Sequence, residues 1–213
     1  MSASMAANTD RKRIGLRVCL LQFLALITLA VLINALFGPK PLWAVVADGR
    51  SLAGQITAGI SIGLAFSIPA WIAVLKINVF GNFRTQMLEL AGRVDLGGLN
   101  PLWFGLCAGA GEELLCRGTL QPLLGIWWTS LLFTLAHYGT GGFKSMTPTK
   151  WGYAGFVFLA SVLLGLVLIQ IGLVAAVVLH SVVDVFGISV LRGTAAVRAF
   201  APRSVDASSA RCA

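Results

Sequence analysis

Apolar residues fill this chain in long blocks, and polar residues collect between the blocks. The first block, about 18–37, predicts a helix long enough to cross a membrane. It exceeds the ~7–15 apolar residues of a signal-peptide core, and no small-x-small cleavage pattern closes it, so it reads as a retained helix. A polar loop with Pro39, Lys40, Pro41, Trp43, Asp48 and Arg50 follows. A second helix is expected over 52–75, with Gly59 and Gly63 spaced for close packing and Pro69 as a kink. The period then changes. Phe80, Phe83, Met87, Leu90 and Val94 recur at helical spacing with Arg84, Gln86, Glu89 and Arg93 between them, which predicts an amphipathic helix on the membrane surface.

Asn100 and Pro101 read as an N-cap and a proline at the first helical position. A third helix runs from there to about 120, stopped by Pro122. The fourth, about 123–138, is short and starts with Trp127 and Trp128 where an aromatic belt would place them. A Gly/Thr/Lys loop over 139–150 leads to a fifth helix near 151–170. Gly172 marks a tight turn into a sixth, which is expected to end near Arg192. No internal repeat is visible. The pattern predicts an all-α fold, a polytopic transmembrane helical bundle of about six membrane helices plus one amphipathic surface helix. Its divisions are a basic N-terminal segment (1–17), two membrane helices with the surface helix (18–98), a four-helix core (99–192) and a basic tail without expected order (193–213).

Composition agrees. The chain has 213 residues, 57% hydrophobic and 11% charged, against about 25% charged in a soluble domain, and a mean hydropathy of +0.86. A net charge of +8 invites a nucleic-acid reading, but the basic residues sit at segment ends and in the tails, where they carry topology information. With the N-terminus inside, inner segments hold 13 basic residues against 2 outside, Lys40 and Arg50. Six helices with both termini in the cytoplasm satisfy the positive-inside rule. The short loops fit a multi-pass protein of a bacterial inner membrane, with no nucleic-acid partner. Cys19, Cys107, Cys116 and Cys212 form neither metal-type spacing nor a disulfide framework.

Few ionisable groups fall inside the predicted spans: Glu112, Glu113 and Arg117 on the third helix, His137 on the fourth, and His180 and Asp184 on the sixth. Each charged group at a helix centre costs roughly 2.5–3.5 kcal/mol on insertion scales, which a chain bears when the groups pair or act. Glu113 and Arg117 are four apart and share a face suited to an ion pair, while Glu112 points about 100° away from that partner. His180 and Asp184 are also four apart, so the carboxylate is expected to hold one ring nitrogen of His180. Phe133 and His137 share a face in the same way. Glu112 lies about 16 Å past Pro101 in a roughly 30 Å core, and His180 about 12 Å from the other side. His137 comes out nearer the inner side, which requires the fourth helix to tilt or to start deeper.

A lone carboxyl in low dielectric suits a general base that takes a proton from water near neutral pH. Glu112 is the candidate, with His137 holding that water or shuttling its proton. His180, positioned by Asp184, is a candidate donor to the oxyanion of a tetrahedral intermediate. That is a plan for amide hydrolysis within the membrane. The same four groups could instead ligate a divalent metal such as zinc with one open position.

EELLCR (112–117), FTLAH (133–137) and HSVVD (180–184) occur in order on successive apolar helices. In this the chain resembles the CPBP intramembrane proteases, the family of CAAX proteases and bacteriocin-processing enzymes that includes the type II CAAX prenyl endopeptidase. The resemblance covers about residues 95–192. It implies an intramembrane endopeptidase with Glu112 as catalytic base, His137, His180 and Asp184 completing the site, and Glu113 and Arg117 as a supporting pair. It implies a membrane-associated peptide or protein substrate, prenylated or bacteriocin-like, and no cofactor. Two positions depart from the family pattern. Cys116 stands where an aromatic residue is common, and Asp184 where the prenyl endopeptidase has asparagine, a second carboxylate that weakens the expectation of a prenylated substrate and makes a metal more plausible, while a glutamate protease stays the preferred reading. Two other classes compete: a non-catalytic immunity or assembly protein, in which Glu112→Gln is harmless, and a proton-coupled transporter, which six helices without visible repeats disfavour.

Overall fold

The computed structural model describes residues 14–77, 94–138 and 148–200, with side chains omitted at 76–77, 138, 148–149 and 195–200. The fold is all-α: α1 (Leu16–Phe37), a one-and-a-half-turn α2 (Leu42–Ala47), α3 (Leu52–Ile72), α4 (Asn100–Leu115), α5 (Gln121–Tyr138), α6 (Pro148–Gln170) and α7 (Leu173–Phe200). Widened i→i−5 turns follow α3 over Ala73–Ile77 and α4 over Cys116–Leu120. The surface helix expected over 79–94, most of the 139–150 loop and the tail beyond 200 lie outside the described residues.

Five helical stretches are long and apolar enough to cross a membrane, the longest being Asn100–His137 with 38 residues. That stretch does not run straight. At Gly125 the backbone takes φ 76°, ψ 169°, a region a side chain would make costly. Twenty-five residues of unbroken helix would separate Glu112 from His137 by about 37 Å, yet their side chains lie 3.7 Å apart. The chain therefore folds back at Gly125, and the stretch counts as two crossings.

The expected break at Pro122 falls three residues late. Gln121 N–H donates to Cys116 O across the widened turn, and Pro122, which has no N–H to satisfy, continues the helix. This settles the depth of His137. Glu112 lies about 20 Å before Gly125 and His137 about 18 Å after it, so the two arms bring the groups level.

α7 is the central helix, and glycines on both sides let it in. A Cβ at Gly59 or Gly63 of α3 would come within 2.7 Å of Ala175 O or 2.9 Å of Val182 Cβ. This is the close packing expected of that pair. Gly105 and Gly109 of α4 form a second such pair, which the sequence reading passed over: a Cβ there would lie 2.9 Å from Val185 N or 2.8 Å from Ser181 N. Without a large hydrophobic driving force between helices in lipid, such close backbone approach is what holds a bundle together. Outward-facing leucines and isoleucines of α1, α3 and α6 stay exposed, as lipid contact requires.

Several ends differ from expectation. Leu99, not Asn100, caps α4, because the Asn100 side chain turns back to donate to Asp95 O at 3.1 Å. α7 continues past Arg192 to Phe200, so residues 193–200 are helical where a tail without order was expected. Asp95 N–H donates to Ile14 O at 3.0 Å, and Arg192 Nη1 donates to Gly98 O at 2.8 Å. The starts of α1 and α4 thus share one end of the bundle with Arg192, as an even number of crossings demands. At the other end Gln55 ties the loop to the α6–α7 turn. Its amide nitrogen donates to Asp48 O (3.2 Å) and Arg50 O (2.9 Å), and its oxygen accepts from Ala175 N (3.3 Å).

Candidate active site

The ionisable residues singled out in the sequence come together in one cluster, at the facing surfaces of α4, α5 and α7. Glu112 and Glu113 are neighbours in sequence but end in different surroundings. Glu113 is fully buried. Its Oε2 lies 3.1 Å from Arg117 Nε, the expected i,i+4 pair, and its Oε1 accepts a 2.7 Å hydrogen bond from His180 Nδ1. The fully buried Arg117 donates through Nη2 to both the carbonyl and the hydroxyl of Ser161, each at 2.7 Å. Its guanidinium also stands 4.8 Å from the ring centre of Phe133. Arg117 thereby ties α4 to α6 and fills the charge deficit around Glu113, without which a buried carboxylate would be prohibitively costly.

This refines one expectation. Asp184 lies against one ring nitrogen of His180 as expected, but the hydrogen bond of the ring goes to Glu113 from the other nitrogen. Asp184 Oδ2 stands 3.6 Å from His180 Nε2, beyond hydrogen-bond range but close enough to favour a positive charge on the ring. An arginine-paired carboxylate is an acceptor, so Nδ1 of His180 carries a proton. Its Nε2 is then a lone pair in the neutral ring and an N–H in the cation.

Glu112 lacks the partner that Glu113 has, as its position on the helix predicts, and stands beside His137. Its Oε2 faces His137 Nε2 at 3.7 Å and has no hydrogen-bond partner among the described residues. His137 Nδ1 lies 2.9 Å from the carbonyl of Phe133, one turn back. That carbonyl can only accept, so the proton sits on Nδ1 and the Nε2 lone pair faces Glu112. Phe133 is the spacer of the cluster. It is buried, packs at a tilt against His137 with 4.3 Å between centres and presents an edge geometry to His180 at 6.0 Å. Cys116 packs beside it with Val157, so that position contributes packing.

The side chains of Glu112 and His137 are partly exposed, with Glu112 Oε2 itself buried between them. Both line a cavity of about 520 Å³ that is open between α1 and α5. A second space of about 130 Å³ behind Phe133 is lined by His137, His180 and Asp184 among aromatic and aliphatic side chains. A third, of about 340 Å³, reaches Asp184 from the α1 side.

Glu112, His137, His180 and Asp184 supply the donor types a divalent metal takes. Among the described residues, however, no group of three or more His, Cys, Asp or Glu side chains is arranged to hold a metal ion. Glu112 stands against His137 and Asp184 against His180.

Ser161, which anchors Arg117, was missed from sequence. Its only signal is a small hydroxyl inside an apolar helix, and many such hydroxyls bond only their own helix.

A multi-pass helical membrane protein with a buried acid–imidazole cluster open to the bilayer is the class these observations define. Residues 98–186 match the family model described as type II CAAX prenyl endopeptidase, Rce1-like. The matched stretch holds every residue of the cluster. No curated protein and no solved structure matches the chain. The similarity supports a protease-like activity at the level of the broad CAAX protease family.

Proposed function

We propose that the protein is an intramembrane endopeptidase. The observation that carries this is the contrast between the two glutamates. Glu113 is fully buried between Arg117 and His180, while the Glu112 side chain keeps partial exposure beside the imidazole of His137 and lines an open cavity. A water seated between Glu112 Oε2 and His137 Nε2 has an acceptor on either side. Glu112 takes its proton as the oxygen adds to the carbonyl carbon of the substrate. The tetrahedral oxyanion accepts a hydrogen bond from Nε2–H of His180 in its cationic form, which Asp184 and Glu113 favour by charge. Collapse breaks the C–N bond, and the leaving amine takes the proton from Glu112. Substrates are membrane-associated peptides or proteins that reach the cavity from the bilayer.

Expression of the wild type and Glu112→Gln at matched levels, with mass-spectrometric comparison of peptide termini in the membrane fraction, tests this. Termini present only with the wild type support it. Identical sets from two folded proteins overturn it and favour a non-catalytic role.

A further inference from the structure

Among the described residues most side-chain amides of the bundle have partners, and two, Gln22 on α1 and Gln170 at the end of α6, have none. Asn34 Nδ2 donates to Lys40 O at 3.3 Å, Gln121 Nε2 to Gly165 O at 3.0 Å, and Gln55 makes three bonds. Gln22 sits six residues past Leu16, about 9 Å into the helix, where a polar group in an apolar span calls for a partner or a task.

Its position supplies one. Gln22 is exposed and lines both the cavity that holds Glu112 and His137 and the cavity that reaches Asp184. α1 comes close enough because position 111 has no side chain: a Cβ there would stand 3.3 Å from Phe23 and 3.2 Å from Leu26. Leu26 lines the Glu112 cavity one helical turn along α1 from Gln22.

A membrane segment must unwind to present a peptide bond for hydrolysis, and each freed N–H and C=O then needs a partner in an apolar setting. A side-chain amide carries both N–H donors and a carbonyl acceptor, so it can pair with the C=O and N–H of one peptide unit. Apart from Gln22, the walls of the smaller cavity are apolar as far as Asp184.

We propose that Gln22 binds the main chain of the substrate. An extended segment runs from the smaller cavity past Gln22 to Glu112 and His137, and the Gln22 amide pairs with one peptide unit of it. Gln22 thereby sets which bond stands over Glu112. The substrate class is an unwound, apolar stretch of a membrane-embedded polypeptide. This rests on the endopeptidase reading.

The test follows the terminus comparison above, with Gln22→Leu and Gln22→Asn added, and then a peptide spanning a mapped cleavage site with purified proteins in detergent. Gln22→Leu is expected to raise KM about tenfold with a smaller change in kcat, the effect of one lost hydrogen bond in an apolar site, and to spread cleavage over neighbouring bonds. Gln22→Asn recovers part of the loss. A substrate with one peptide N–H replaced by an ester oxygen should weaken binding to the wild type at one position and leave Gln22→Leu unaffected there. Unchanged KM and cleavage position in Gln22→Leu would overturn the Gln22 assignment alone. Absence of Glu112-dependent termini would overturn the endopeptidase reading and this assignment with it.

Discussion

The two halves of the cluster are built in opposite ways. Around Glu113 everything is closed. Its side chain has 0% exposure, and Arg117, Ser161 and His180 bind it into a network spanning α4, α6 and α7. Around Glu112 the packing is open. Its side chain keeps 18% exposure and that of His137 33%, beside a cavity bounded by α1 and α5. Two glutamates in adjacent positions thus take different parts because a helix turns its side chains by about 100° per residue. One faces the glycine-lined seam with α7, the other a gap.

If the halves differ in this way, exchanging charge for amide should separate them. Glu112→Gln is expected to lower the rate of substrate cleavage by about 10²–10⁴-fold, the contribution of a positioned general base, with little change in the detergent melting temperature. Glu113→Gln should do the reverse in order of severity. It leaves Arg117 buried without its partner, a loss of about 3–5 kcal/mol of stability, measurable as a fall in folded fraction by size-exclusion and thermal denaturation. A melt of Glu112→Gln as poor as that of Glu113→Gln would dissolve the distinction.

The closed half can be sharpened further. Arg117→Met alone strands the Glu113 carboxylate, whereas Arg117→Met with Glu113→Gln removes both charges. The double variant is expected to be more stable than the sum of the singles predicts, by about 0.5–3 kcal/mol of coupling. Additive losses would show that the pair at 3.1 Å contributes nothing as a pair.

Packing at the seam comes next in size. Gly109→Ala places a Cβ within 2.8 Å of Ser181 N and should cost about 1–3 kcal/mol by overpacking, moving α7 and with it His180. The same change at Gly155, where a Cβ meets nothing within 4 Å, should be neutral or slightly stabilising.

The smallest effect is expected far from the site. Asp48 bonds to Lys40 in the loop between α1 and α3. This partner, with its charge and the Gly49 N–H, holds the Asp48 carboxyl below its ordinary value. A lowered carboxyl stabilises the fold above the ordinary aspartate value of about 3.9 and loses that contribution as pH falls through the folded value. The melting difference between wild type and Asp48→Asn should therefore be small at neutral pH and vanish in acid. A difference that grows in acid would contradict the sign.

Sequence alone determined the class of fold and the members of the cluster. Long apolar blocks can only be membrane helices, and six ionisable groups inside them stand out because so few belong there. Even the face of each group was readable from its spacing, as with Glu113 and Arg117. Tertiary structure decided the partners. Spacing along one helix pointed His180 to Asp184, but the stronger bond goes across the bundle to Glu113. No local pattern records how near glycines let two helices come. The fold-back at Gly125 was likewise misplaced to Pro122, because a widened turn upstream absorbs the proline. Whether Glu112 meets His137 depends on where that reversal falls. These are distances between elements far apart in the chain, fixed by packing rather than by residue type.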